Sequence, residues 1–194
     1  MAACTPALGN ELDYVIRVGA LSPRHRGRVA RILRANELFR EEEIDVALEL
    51  FDAAIGSSII PPAISDYSFL GAFTPEDEVA GFACYGPTPA TDRTYDLYWI
   101  AVDSACQRAG SGTILLNEVE RRLKGLNARM VVAETSSRSD YEAARGFYLR
   151  HGFVQAARSR EFYAPADDRI TFTKRLQSRG SARKERAAHG AASQ

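Results

Sequence analysis

Apolar and polar positions along this chain repeat with two periods, one near two residues and one near 3.6. Residues 14–18 (Tyr-Val-Ile-Arg-Val) predict a first strand. Ser22 followed by Pro23 predicts a helix start, and Val29, Ile32 and Leu33 give that helix its apolar face. Arg24, Arg26, Arg28, Arg31 and Arg34 read as its solvated face. A second helix is predicted from about Arg40 to Ile55, with Ile44, Ala47, Leu48, Phe51 and Ile55 at helical spacing. Glu41, Glu42 and Glu43 suit the positive end of its dipole, and Gly56 is placed to end it. Residues 57–65 read as a loop, followed by strands over 67–73 and 79–85 joined by a turn at Thr74-Pro75-Glu76-Asp77.

The next stretch carries the chemistry. Residues 95–102 are aromatic and β-branched, as in a buried strand. Ile114, Leu115, Leu116, Val119 and Leu123 then form an apolar helical stripe, with Glu118, Glu120, Arg121 and Arg122 between them. Between strand and helix lies Gln107-Arg108-Ala109-Gly110-Ser111-Gly112. The first turn of a helix leaves backbone N–H groups without intrahelical partners, and its dipole adds positive charge there. Two glycines remove the side chains that keep an anion away, so this junction is built to bind phosphate. No lysine follows either glycine, which excludes a nucleotide-triphosphate P-loop. Leu115 stands where a dinucleotide fingerprint needs its third glycine.

Farther on, residues 130–134 (Met-Val-Val-Ala-Glu) predict a strand buried on both faces and ended by Glu134. Ser139-x-x-Glu142 reads as a capping box opening another helix. On that helix Tyr141 and Tyr148 share one face, with Phe147 and His151 on another, and Gly152 ends it. Residues 155–162 and 170–174 predict a long hairpin whose tip, residues 163–168, is free to close over a site. The element order is β-α-α-β-β-β-α-β-α-β-β, an α/β (α+β) architecture on a mixed sheet of about seven strands.

Gln107, Gly110 and Gly112 match the pattern Gln/Arg-x-x-Gly-x-Gly/Ala. Phe147-Tyr148-Leu149-Arg150-His151-Gly152-Phe153 contains a second, Tyr-x-x-x-Gly-Phe, in the right order and on the right element. By these two motifs the sequence resembles the GNAT superfamily of acyl-CoA-dependent N-acyltransferases, over roughly residues 14–176. The resemblance implies the GNAT fold, with helices on both faces of the sheet. It also implies acetyl-CoA as co-substrate, no metal, and acetyl transfer to a primary amine by direct attack. By resemblance, Gln107, Arg108, Ala109, Gly110, Ser111, Gly112 and Thr113 hold the pyrophosphate. A backbone N–H among Ile100, Ala101 and Val102 polarises the thioester carbonyl. Tyr148 is the general acid to the departing thiolate, a role typically worth ~10²–10⁴-fold. Tyr141 stands where many relatives carry an asparagine that contacts the pantetheine arm. The base is not set by any motif; Glu134 is the first candidate and Asp96 the second. The alternatives kept beside this reading are a non-catalytic acyl-CoA-binding regulator and a protein N-acetyltransferase.

Composition narrows the setting. A chain of 194 residues, 45% hydrophobic and 26% charged, is expected to form one domain. We expect a flexible segment over 1–12, the catalytic domain over 13–176 and a disordered tail over 177–194. That tail holds Arg179, Arg183, Lys184 and Arg186 against Glu185, a net +3 that leaves −3 on the rest of a neutral chain. A body of that sign argues against nucleic acid as partner and suits a cationic small amine or amino acid. Cys4, Cys84 and Cys106 show no pairing or metal spacing, and no stretch reads as a signal peptide or membrane span. A cytoplasmic monomer or homodimer is the expectation.

Overall fold

Each predicted element forms, and the differences lie in how they pair. The computed structural model describes residues 16–36, 38–56, 66–107 and 110–176. The strands are β1 (Arg17–Ala20), β2 (Ser68–Phe73), β3 (Val79–Pro87), β4 (Thr94–Val102), β5 (Met130–Ser136), β6 (Val154–Ala164) and β7 (Asp167–Arg175). The helices are α1 (Arg26–Ala35), α2 (Glu41–Ile55), α3 (Ser111–Gly125) and α4 (Glu142–Arg150). The seven strands make one open mixed sheet in the order β1-β2-β3-β4-β5-β7-β6. The last strand in sequence is thus inserted between β5 and β6, where local patterning gives no hint of it. The predicted loop over 57–65, Tyr14, Val15 and the terminal segments lie outside the described residues.

By contact the chain divides into two units, residues 1–86 with 98–119 and residues 87–97 with 120–194, so the boundary passes through β4 and α3. In the first unit α1 and α2 bury their apolar stripes against the sheet. Val29, Ile32, Leu33, Ile44, Ala47 and Phe51 join Phe69, Phe73, Phe82 and Ala101 in one core. Phe51 meets Phe69 edge-on at 5.3 Å, and Phe69 stacks on Phe82 at 6.3 Å. The start of α2 is fixed by Glu43, whose Oε2 accepts the Arg40 N–H at 2.9 Å. At its end, a Cβ on Gly56 would stand 2.6 Å from the Asp52 carbonyl oxygen.

The arginine face of α1 is more engaged than its spacing suggests. Arg26 pairs with Asp52 at 2.7 Å. Arg28 is half-buried, donating to the Val79 carbonyl at 2.9 Å and pairing with Asp103 at 2.6 Å. Its position is therefore structural, not solvated.

In the second unit β5 pairs in parallel with β4 over Thr94–Leu97 and antiparallel with β7 over its whole length. The strand runs two residues past Glu134, to Ser136, and its two faces are covered unequally. Val131, Ala133 and Thr135 are buried, whereas Glu134 is exposed. The expectation of burial on both faces is corrected here, because an apolar run does not reveal which side a helix covers. Glu120, placed by the sequence among the polar positions of α3, is also buried, and Lys174 of β7 reaches it at 2.5 Å.

The hairpin differs too. β6 and β7 are joined by a turn at Pro165 and Ala166, and Asp167 and Asp168 lie inside β7, buried. The Ser136 hydroxyl donates to the Asp167 carboxylate, and the Asp168 N–H donates to Ser137 Oγ at 2.9 Å. These bonds fasten the expected lid to the end of β5. The capping box at Ser139 does not form either: α4 opens through a tight turn over Ser139–Tyr141, with no side-chain cap bond. Arg145 instead donates to the carbonyls of Ser136 and Arg138, at 2.7 and 2.8 Å.

Candidate functional site

In the first unit, the junction between β4 and α3 is anchored by one carboxylate. Asp103 accepts the Ala105 N–H at 2.8 Å, and its own N–H donates to the Ala80 carbonyl at 2.8 Å. Its second oxygen faces Arg28, with the two side chains only 12% and 23% exposed. Such a pair is worth more than a surface ion pair, since water screens it less. Asn36 adds a second tie, donating to the carbonyls of Ile32 at 2.7 Å and Val102 at 3.3 Å, while Gln107 donates to its Oδ1 at 3.5 Å. The sequence offered no signal for Arg28, Asn36 or Asp103, because the contacts that engage them, Arg28–Asp103 and Asn36–Val102, span 75 and 66 residues.

Gly110 then turns the chain. Its φ is +75°, the left-handed region that favours glycine, and a Cβ there would meet nothing within 4 Å. Among the described residues, the ladder of α3 begins with the Ile114 N–H donating to the Gly110 carbonyl at 3.0 Å. The N–H groups of Ser111 and Gly112 therefore precede the helical ladder. Ser111 is buried, its hydroxyl 3.5 Å from the Cys106 carbonyl, while Gly112 and Thr113 are half-exposed. Arg108 and Ala109 lie outside the described residues. Of the β4 candidates, Ala101 packs in the core, and Ile100 and Val102 are half-buried.

In the second unit, Tyr148 is 6% exposed. Its ring packs against Phe153 at 5.3 Å and stacks on Phe172 at 5.7 Å. α4 is stopped just beyond it by Gly152, at φ +79°, with the Phe153 N–H bonded back to the Tyr148 carbonyl at 3.1 Å. Burial pushes the phenol pKa well above its ordinary value, since a phenolate there would be poorly solvated. Tyr148 is thus neutral at any working pH, fit to donate a hydrogen bond and unfit to take a proton. Tyr141 is half-buried, with the Arg138 guanidinium 5.5 Å from its ring centre. His151 caps the end of α4, its ring 4.2 Å from that of Phe147 and its Nδ1 2.8 Å from the Phe147 carbonyl.

Glu134 stands apart from Tyr148. Its register partner is Thr171, and its carboxylate lies 3.4 Å from the Thr171 hydroxyl and 3.5 Å from Arg169. Arg169 in turn lies over the exposed ring of Phe162, 3.9 Å from its centre. Asp96 is opposite Val132 in the parallel pair, which puts it on the same sheet face as Glu134. Ala133 is opposite Phe172, on whose ring Tyr148 stacks, so Tyr148 covers the other face. Among the described residues no group of His, Cys, Asp and Glu is arranged to hold a metal, and no helix is long and apolar enough to cross a membrane.

Comparison with known proteins bears on the family and the fold. The model of the acetyltransferase (GNAT) family matches residues 32–153. A crystal structure of a GNAT-family protein from Desulfovibrio desulfuricans is 39% identical, with a TM-score of 0.73, over 84% of this chain and 99% of that one. The ribosomal-protein-S18-alanine N-acetyltransferase of Escherichia coli shares the fold at 20% identity and TM-score 0.67, over 86% of this chain and 97% of its own. So does yncA of Salmonella typhimurium, solved with its cofactor acetyl-CoA, at 17% identity and TM-score 0.66, over 86% of this chain and 96% of its own. No curated protein matches the chain. The chain belongs to the GNAT acetyltransferase family.

Proposed function

We propose, from that membership, that this protein transfers the acetyl group of acetyl-CoA to a primary amine of a small molecule or amino acid. The observation that carries the reading is Gly110, held at φ +75° with open space at its Cβ position, directly before the fifteen-residue helix α3. A diphosphate fits that junction: backbone N–H groups stand at the start of the helix, the Gly110 Cβ position is open, and the helix dipole favours negative charge. Gln107, Gly110, Ser111, Gly112 and Thr113 are the described residues assigned to it, with Arg108 and Ala109 completing the motif. Bound acetyl-CoA supplies the activated acetyl thioester. Ile100, Ala101 and Val102 offer the backbone N–H that polarises its carbonyl, and Tyr141 flanks its arm.

Tyr148 is assigned to the leaving thiol, and its burial refines the role. A thiol has an ordinary pKa of ~8.5 and a phenol of ~10, and burial has raised the phenol further. Full proton transfer from Tyr148 to the thiolate is uphill, so Tyr148 acts by donating a hydrogen bond. The entering amine loses its proton on the other face, where Glu134 and Asp96 stand. A base there and a hydrogen-bond donor on the Tyr148 face suit a reaction in which the amine gives its proton to the base and the leaving group departs as a hydrogen-bonded thiolate. Direct attack in this sense needs no covalent acyl-enzyme.

The excess of negative charge outside the tail supports a cationic amine as acceptor. Screening small amines and amino acids with acetyl-CoA, and reading free thiol release, tests the assignment. Acetylation of protein N-termini with no turnover of any small amine excludes the acceptor class. CoA binding with no turnover of any acceptor points to the non-catalytic regulator.

A further inference from the structure

We propose that the hydroxyl of Thr135 is a binding group for the acyl-thioester arm of acyl-CoA, an inference that rests on the acyl-CoA reading above. Thr135 is 4% exposed, and its Oγ1 is buried with no hydrogen-bond partner among the described residues. A buried hydroxyl without a partner destabilises the fold, and valine fills the same volume without that cost. Folding therefore gives no reason for threonine here, and a ligand does.

Its place says which ligand. Thr135 lies opposite Ile170, two residues along β5 from the Ala133–Phe172 pair. Alternation puts it on the face that Tyr148 covers, since Tyr148 stacks on Phe172. The parallel ladder with β4 ends at Leu97 and Ala133, so Thr135 is the first residue on that face beyond it. Its neighbours there, Ala133, Ile170 and Phe172, are apolar and buried. The charged side chains that β6 and β7 place on the same face are already paired, Lys174 with Glu120 and Arg158 with Asp168. Such surroundings disfavour a phosphate and suit a slim chain, mostly apolar, with isolated neutral hydrogen-bonding groups. The arm of acyl-CoA, with its amides and thioester, has that chemistry.

The test compares Thr135→Val and Thr135→Ser by calorimetric titration with CoA, and by thermal melting without ligand. Loss of one buried hydrogen bond to a neutral group weakens binding roughly two- to tenfold. Thr135→Val is expected to show that loss for CoA, with an unliganded melting temperature equal to or above wild type. Thr135→Ser should bind as wild type. Adenosine 3′,5′-bisphosphate, which lacks the arm, should bind wild type and Thr135→Val equally. Unchanged CoA affinity in Thr135→Val overturns the proposal, as does a lowered melting temperature, which would reveal a structural bond. A wild-type protein that fails to bind CoA removes the acyl-CoA reading itself, whereas normal binding by Thr135→Val removes only the role of this hydroxyl.

Discussion

Glu134 and Tyr148 serve opposite faces of the same pair of strands: Glu134 lies beside Thr171 and Arg169, while Tyr148 stacks on Phe172 behind them. On the proposed mechanism these two side chains have separate tasks, and their variants should separate in kinetics.

Tyr148→Phe keeps the ring between Phe153 and Phe172 and removes only the hydroxyl. Because the raised phenol donates a hydrogen bond and does not transfer its proton fully, we expect kcat to fall about 10–100-fold, below the ~10²–10⁴-fold of full general-acid catalysis. KM for acetyl-CoA should stay within about twofold. Steady-state kinetics with a competent amine decides this, and a full kcat returns Tyr148 to packing.

If Glu134 assists deprotonation of the amine, Glu134→Gln should lower kcat near neutral pH and recover as pH rises. An amine with a pKa of ~10.4 is then increasingly neutral without help. A deficit that persists unchanged to pH 10 would assign the task to Asp96 or to water.

Gly110→Ala keeps the space around the loop but places a side chain at φ +75°, which costs about 1 kcal/mol. Gly110→Asp adds a negative charge where the diphosphate is expected. Calorimetry should show a modest loss of CoA affinity for alanine and no measurable binding for aspartate. Equal, wild-type affinity in both removes the loop from the binding site.

Arg28→Met leaves the Asp103 carboxylate half-buried beside a thioether and should cost about 1–3 kcal/mol in denaturant unfolding. CoA affinity should fall as well, because Asp103 holds the chain leading into Gly110. Arg28→Met combined with Asp103→Asn should lose less than the sum of the two changes. Full additivity would show that the two side chains act independently.

Stability should decline on the alkaline side. Burial raises both the Cys84 thiol and the Tyr148 phenol above their ordinary values of 9.0 and 10.0. Above about pH 9 the unfolded chain releases protons that the folded chain keeps, so rising pH favours unfolding. Urea midpoints measured from pH 8 to 11 should fall steadily, and Cys84→Ala with Tyr148→Phe should flatten that slope. An unchanged slope in the double variant would place the alkaline sensitivity elsewhere.

What the sequence determined by itself was local. The stripe of Ile114, Leu115, Leu116, Val119 and Leu123, the paired glycines before it and the Tyr148–Phe153 motif each lie within one turn or one element. Periodicity, chain stiffness and helix-end chemistry act over that distance, so the elements and the family could be read without a fold. The tertiary structure decided what depends on distant neighbours. β7 lies between β5 and β6, Glu134 and Tyr148 take opposite faces, and Arg28 and Glu120 find partners at Asp103 and Lys174. The lid expected at residues 163–168 is tied down for the same reason: Asp167 and Asp168 meet Ser136 and Ser137 only once β5 and β7 have paired. Alternation within a strand says that two faces exist, and only the packing of other elements settles which one is covered.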